Sequence, residues 1–312
     1  MRLDLGEYRR IRKKLNSVED LDKLQYPRGM LHSILQQKII WNVKRKYGYF
    51  KKKVDLLVRH WKKNKCMPDW LSLTPVMNVR LLLQGMGYSR KEIVRVLSNP
   101  EYCEDEEMRE VIWKAVITDF VYSPLAVRLQ WSKGKLGERI IEEHLKKIGI
   151  DYRTERDLRK SSSVIKTPDF VFNECVDLCG ANVKWLESKV MFGDFIVHRY
   201  FEKKQFSVYR NTFGDGLVVY LVGCLSNIDA LDGSFLSSKL LSNLLKMEIY
   251  FGSEADLCND DWVIVKYRGN PLSTVGEVVE SFSSGKVFIN NCNNYVKEIL
   301  KNLGFRIVCL NS

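Results

Sequence analysis

No run of about 18 uncharged apolar residues occurs in this chain, which excludes a membrane-spanning helix. An apolar signal core is lacking too, because charge interrupts the N-terminus, MRLDLGEYRRIRKKL, throughout. The expectation is an intracellular protein, nuclear or cytoplasmic in a eukaryote and cytoplasmic in a prokaryote. No internal repeat and no low-complexity segment is evident. Histidine is scarce, and His32, His60, His144 and His198 are scattered. Of eight cysteines only Cys175 and Cys179 lie close, as C-x3-C, with no second pair at zinc-finger spacing. Structural zinc is therefore not expected. In a reducing interior Cys175 and Cys179 predict core or turn thiols, placed in the connection between two strands.

What is present is basic charge, unevenly spread. The first hundred residues hold 23 Lys/Arg against 8 Asp/Glu, a net +15, while the rest hold 27 against 30, a net −3. All of the positive excess lies in the first third, which points to a polyanionic partner, nucleic acid before membrane. An acidic protein partner, or a merely solvated basic surface, is the competing reading. The length of 312 residues predicts two or three domains.

Residues 1–125 read as helical and basic. Within them, Thr74 is placed to cap a helix with Pro75 at its first position, and Gly85 or Gly87 to end it. Ser89 is placed to cap a following helix, Arg90 to Leu97. Helix, short glycine-containing turn and helix is the shape of a helix-turn-helix unit. Residues 126–225 change character: an amphipathic helix at 134–149, strand-like runs at IDYRTE, TPDFVFN and VKWLESKVMF, a helix near 195–211, and a buried strand GLVVYLVGCL. Residues 226–312 alternate strand-like runs (KMEIYF, WVIVKY, KVFIN, FRIVCL) with helical ones, as a small α/β extension without a catalytic motif. The fold class expected is thus multidomain, α followed by α/β.

Cutting a phosphodiester requires an activated water and neutralised charge at the phosphate, which a bound Mg²⁺ or Mn²⁺ supplies. Such an ion takes oxygen ligands and keeps several waters, so one or two rigid carboxylates suffice. Asp169 opens one β-type run; Glu187 and Lys189 lie in the next. Positions i and i+2 of a strand share a face, so Glu187 and Lys189 point together and Ser188 away. If the runs are adjacent, one metal can bridge Asp169, Glu187 and the backbone carbonyl of Ser188. Lys189 then orients or deprotonates the water, or contacts the phosphate. The same pattern also fits a cross-strand ion pair on a solvated face. Glu138, taken as the start of the preceding helix, is a further candidate metal ligand, or an acid favoured there by the helix dipole. Gln205 and Tyr209 stand at i and i+4 of the following helix, where both can hydrogen-bond a phosphate or the lysine.

Taken together, TPDF at 167–170, WLESKVMFGD at 185–194 and QFSVYRNTFGDGLVVYLVG at 205–223 resemble the TPD branch of the PD-(D/E)xK nucleases. Upstream, DFVYSPL at 119–125 and G-x-x-x-E at 134–138 follow the same order. The pattern is similar to that of the codanin-interacting nuclease family of eukaryotes and its archaeal relatives. The resemblance spans roughly 110–225 and matches the helical N-terminus only loosely. It implies a restriction-endonuclease-like core with a mixed sheet, Mg²⁺ or Mn²⁺ dependence and a nucleic-acid substrate, DNA first. By motif it carries Asp169, Glu187 and Lys189 as catalytic, supported by Glu138, Gln205 and Tyr209. The competing functions are a catalytically inactive nuclease-fold protein that binds DNA or serves as a scaffold, and a helix-turn-helix regulator. Oligomeric state is not readable from the residues, although two nicks on a duplex would call for a homodimer.

Overall fold

The computed structural model describes residues 1–161, 166–252, 262–290 and 293–310. Its helical first part runs β1 (Arg2–Leu3), α1 (Leu5–Lys14), α2 (Arg28–Lys51), α3 (Val54–Asn64), α4 (Pro75–Gly85), α5 (Arg90–Ser98), α6 (Glu106–Thr118) and α7 (Pro124–Lys147). Then follow β2 (Tyr152–Thr154), α8 (Glu155–Ser161), β3 (Phe170–Leu178), β4 (Ala181–Lys189), α9 (Phe195–Phe201), α10 (Ser207–Phe213), β5 (Gly216–Tyr220), β6 (Cys224–Leu225) and β7 (Leu231–Asp232). The last part holds α11 (Lys239–Lys246), β8 (Glu248–Gly252), β9 (Trp262–Lys266), α12 (Pro271–Ser281), β10 (Lys286–Asn290), α13 (Asn294–Asn302) and β11 (Arg306–Cys309). Among the described residues no helix is long and apolar enough to cross a membrane.

These elements form two compact units, each made of two stretches of chain: Met1–Ile34 with Lys133–Met247, and Leu35–Ser132 with Glu248–Ser312. The first unit carries a mixed sheet in the order β2-β3-β4-β5-β7. β2, β3 and β4 are antiparallel neighbours, and β5 and β7 add in parallel. The second unit pairs a helical core, including Trp61, Val79, Leu82, Ile93 and Ile112, with a parallel sheet in the order β11-β8-β10-β9. The four C-terminal strand runs are therefore strands; α12 between β9 and β10 is an addition to the sequence reading.

Several local expectations need correction. The helix expected at 134–149 starts at Pro124 and runs unbroken to Lys147, so Glu138 sits mid-helix rather than at a helix start. Gly134 inside it has open space around its missing Cβ, and helix interiors tolerate such a glycine at about 1 kcal/mol. The run GLVVYLVGCL is not one strand: β5 stops at Tyr220, and Gly223 at φ +117° turns the chain into β6. Ser89 does cap α5, accepting from the Glu92 amide at 3.3 Å while Glu92 accepts from the Ser89 amide at 2.7 Å. Thr74 makes no side-chain cap on α4. Asp119 takes that place from a distant part of the chain, accepting from the Val76 amide at 3.0 Å.

The hairpin β3–β4 closes with two residues, Cys179 at φ 56° and Gly180 at φ 82°. Two left-handed residues match the twist of the strands they join. Cys175 lies within β3, not in the connection, and both thiols are exposed. It falls in a bulge where β3 uses four residues between Val171 and Val176 against one on β4. Cys258 and Cys292 lie outside the described residues.

Behind β4, helix α7 buries Leu136, Ile140, Ile141 and Leu145. Its close approach depends on Gly137, where a Cβ would lie 2.3 Å from Val190 Cγ2 and 2.8 Å from Leu221 Cδ1. Gly137→Ala should therefore destabilise, by about 1–3 kcal/mol as overpacking does. Gly134→Ala, in open space on the same helix, should be neutral or stabilise by up to about 1 kcal/mol. Urea unfolding of the two variants checks this; equal shifts of one sign would refute the close packing at Gly137.

Candidate active site

The sheet brings the three central predicted residues together in the first unit. β3 and β4 pair Phe170 with Leu186 and Val171 with Trp185. Continuing that register sets Asp169 opposite Glu187 and Pro168 opposite Ser188. Proline has no N–H to give, so the backbone ladder cannot continue there. Side chains take it over. The Ser188 amide and Ser188 Oγ each donate to Asp169 Oδ2 at 2.8 Å. The Asp169 amide donates to Glu187 Oε2 at 3.2 Å. Ser188, expected to contribute its carbonyl only, thus also orients Asp169 through its side chain.

Lys189 Nζ donates to Glu187 Oε1. The ion pair is of the i, i+2 kind within one strand and mostly shielded from water, unlike the solvated cross-strand pair that the sequence also allowed. The ammonium also lies 4.6 Å from the Phe201 ring centre and 6.0 Å from that of Phe206, within cation–π reach of both.

Burial raises the Glu187 carboxyl to about 8, with the Asp169 charge adding to the effect and Lys189 opposing it. Burial also raises Asp169, against the hydrogen bonds from Ser188 and the charge of Lys189. Glu138 on α7 is partly exposed, yet the burial of its inner side, then Asp169 and Glu155, push it up to about 7. Among the described residues no three His, Cys, Asp or Glu side chains gather closely enough to hold a metal. Glu138 therefore faces the Asp169–Glu187 pair electrostatically without joining it in a three-carboxylate cluster.

Gln205 lies in a π-helical turn, Glu202–Phe206, between α9 and α10, so its spacing to Tyr209 is not that of a regular helix. Its Oε1 is buried with no hydrogen-bond partner among the described residues. Tyr209 is buried against Trp185, edge to face at 5.3 Å. Burial, then the charges of Glu187 and Asp169, raise its hydroxyl, which places that hydroxyl within the field of the site. Asp194, in the family-like FGD, serves structure: it caps α9 through the amides of Ile196 at 2.9 Å and Val197 at 2.8 Å, and accepts from Tyr8 at 2.7 Å.

Glu155 escaped the sequence reading. It follows β2, and its amide donates to the Asp169 carbonyl at 3.2 Å. Its charge also bears on Glu138, Asp169 and Tyr209. The only signal was a glutamate closing the strand-like run IDYRTE. The donor set is a buried carboxylate, Glu187, and a part-buried one, Asp169, both with raised proton affinity, plus a carbonyl facing a proline. Hard oxygens of this kind suit Mg²⁺ or Mn²⁺, which need few protein ligands.

The carboxyl shifts set a pH dependence. Unfolded, Glu187 releases its proton near its ordinary 4.5; folded, it holds the proton to about 8. Between these values the unfolded chain binds fewer protons, so metal-free stability must fall as pH rises. Glu187→Gln removes this contribution. Relative to the variant, the wild type should lose on the order of 1–3 kcal/mol from pH 5 to 8 and then level off. Chemical denaturation without divalent metal measures it; parallel pH profiles would show that Glu187 ionises normally.

With this geometry in place, the comparisons with known proteins are specific. The family model described as a protein of unknown function with the TPD sequence motif matches residues 104–240. The chain is 30% identical over 141 residues to "CDAN1-interacting nuclease 1" of Mus musculus, covering 45% of this chain and 50% of the relative. The Homo sapiens protein of that name is 28% identical over 180 residues, 54% of this chain and 64% of the relative. That of Danio rerio is 29% identical over 170 residues, 52% and 56% respectively. The chain thus spans half to somewhat under two-thirds of the relatives it matches. No solved structure matches it. The segment 104–240, which holds every predicted site residue, is the part that the TPD family model matches.

Proposed function

We propose that the chain is a divalent-metal-dependent nuclease that hydrolyses phosphodiester bonds of nucleic acid, with DNA the first substrate to test. The observation that carries this reading is the convergence of Asp169, Glu187 and Lys189 where the ladder between β3 and β4 ends. The relatives are named nucleases, which favours the same class. Asp169 and Glu187 would hold Mg²⁺ or Mn²⁺ together with the Ser188 carbonyl. When bound, the ion lowers the pKa of an attached water and neutralises charge at the phosphate.

The chain's own groups supply the rest. Ser188 fixes Asp169 in one orientation through two hydrogen bonds. Lys189, a donor without an acceptor, cannot ligate a metal while charged. Its part is to hold the attacking water or a phosphate oxygen, beside the rings of Phe201 and Phe206. Gln205 Oε1, a buried acceptor without a partner among the described residues, is free to take a donor there, and Glu138 is a remote acid available to an outer water.

The names of the relatives also record an interaction with CDAN1. This favours a second reading, a nuclease-fold protein that acts through a protein partner as a scaffold. Cleavage assays with and without Mg²⁺ separate the two. Asp169→Asn and Glu187→Gln should reduce cleavage to background with cooperative unfolding retained, and near-wild-type cutting by either would refute the site. Lys189→Ala should slow cleavage by about 10²–10⁴-fold, the range for a lost proton-transfer group, while Mn²⁺ titration still shows binding. Loss of metal binding equal to that of Asp169→Asn would contradict this role.

The helix pair α4–α5 and the basic first hundred residues are the proposed source of nucleic-acid affinity. The slope of log K against log salt is about −0.9 per duplex phosphate neutralised. Five or six contacts would then cost about three orders of magnitude over a fourfold salt increase. A binding series on the full chain should show this steep slope. A flat series would remove the basic region from nucleic-acid binding and leave the protein-partner reading.

A further inference from the structure

A recess of about 310 Å³ opens in the second unit between α2 and the segment 72–75. Its walls are largely apolar, from Ile39, Val43, Leu73, Pro75, Phe120 and Val121. Asn42, Lys46, Ser72 and Thr74 add polar groups. Lys46 Nζ donates to Ser72 Oγ at 3.0 Å across it. Thr74 Oγ1 is buried with no hydrogen-bond partner among the described residues. Asp119 also lines the recess, but its carboxylate is committed to three amides: Val76 at 3.0 Å, Val121 at 2.9 Å and Tyr122 at 2.8 Å.

The recess continues along one stripe of α2. Asn42, Lys46 and Tyr49 recur at i, i+4 and i+7 on one face, about 10 Å of helix. Just past the helix end, Lys53 Nζ sits 4.2 Å from the Tyr49 ring centre and 5.9 Å from that of Trp70. Tyr49 is 58% exposed and Trp70, stacked at 6.2 Å on Phe50, is 37% exposed. Cavity, lysines and partly exposed aromatic rings thus lie in a row between α2 and residues 70–75.

A flat heteroaromatic ring with donors and acceptors on its edge fits such a recess. Further rings can stack on Tyr49 and Trp70 where Lys53 and Phe50 leave them exposed, and the lysines suit intervening phosphates. A duplex keeps its bases stacked inside and offers none of these faces. We propose that this stripe binds an unpaired nucleic-acid strand, one base in the recess, neighbouring bases on Tyr49 and Trp70, and phosphates at Lys46 and Lys53. The proposal rests on the nuclease reading and deepens it, by naming single-stranded or unpaired nucleic acid as the substrate class.

The test is fluorescence anisotropy with the full chain and labelled oligonucleotides of about a dozen nucleotides, long enough for a site of this kind. The probes are oligothymidylate, oligouridylate, a blunt duplex, and an oligothymidylate carrying abasic positions. A single strand should bind more tightly than the duplex, and the stronger of the DNA and RNA strands identifies the source. Tyr49→Ala, at an exposed position, should weaken single-strand binding about tenfold or more. Ser72→Trp, also exposed, fills the recess and should cost as much on the normal strand but little on the abasic one. Wild-type binding by both variants with cleavage intact would overturn the proposal alone. Tighter binding of the duplex would do the same, as would displacement of the strand by polyglutamate with matching sensitivity to Tyr49→Ala, which would assign the stripe to an acidic peptide. Failure to bind or cut any nucleic acid would overturn the nuclease reading and this proposal with it.

Discussion

Two carboxylates held on neighbouring strands with little water are the constraint that the first unit is arranged around. A buried carboxylate without compensation costs several kcal/mol. Here the compensation is reciprocal across the strands. The strand of Asp169 gives an amide to Glu187, and the strand of Glu187 gives the Ser188 amide to Asp169. Pro168, opposite Ser188, has no N–H to give, so the Ser188 carbonyl receives no ladder bond from it. Lys189 completes the set on the other oxygen of Glu187. The compensation is incomplete, since both carboxyls remain raised despite it. Both carboxyls therefore hold a proton more tightly than a free carboxyl does.

Rigidity at β4 comes from the residues around Trp185. Its ring lies over Gly216, where a Cβ would fall 1.9 Å from ring atoms, so only glycine fits opposite it in the β4–β5 pair. The indole nitrogen donates to the Gly214 carbonyl at 2.8 Å, and Tyr209 packs edge-on against the ring. The GDG sequence before β5 is thus a packing requirement: Gly214 adopts φ +90° and Gly216 makes room for the tryptophan. Two residues after Trp185 stands Glu187, so a shift of the indole would be passed directly to the carboxylate.

What could be read from residues alone followed from local rules. The Ser89 cap of α5 and the strand runs on either side of Gly180 each depend on a few adjacent residues, and each is found in the structure. Misreadings arose where a distant partner decides. Thr74 has the right type for a cap, but Asp119 occupies that role. Gly134 looked like a helix beginning, yet α7 passes through it because packing of the apolar face outweighs one glycine. The three-residue excess of β3 over β4 leaves no mark in sequence pattern, and with it Cys175 was misplaced. Glu155 had no motif of its own; only the pairing of β2 with β3 brings it beside Asp169.

The electrostatics of the chain pose one further problem. Asp169 and Glu187, with Glu138 and Glu155 bearing on them, would repel a phosphodiester whenever they are ionised. A polyanion cannot therefore draw its affinity from the residues that would cut it. Two remedies are available, and they act at different ranges. A divalent cation at the carboxylates reverses the sign locally, within a few ångströms. The net +15 of the first hundred residues acts over a Debye length, about 8 Å at physiological ionic strength, and on the proposed reading is the charge available for capture. On the proposed reading, capture and cleavage would respond differently to conditions: salt would weaken the first while leaving short-range ligation nearly untouched, and low pH would protonate the carboxylates of the second while leaving lysine and arginine charged. A chain whose basic residues were spread evenly over its length would not separate the two so cleanly.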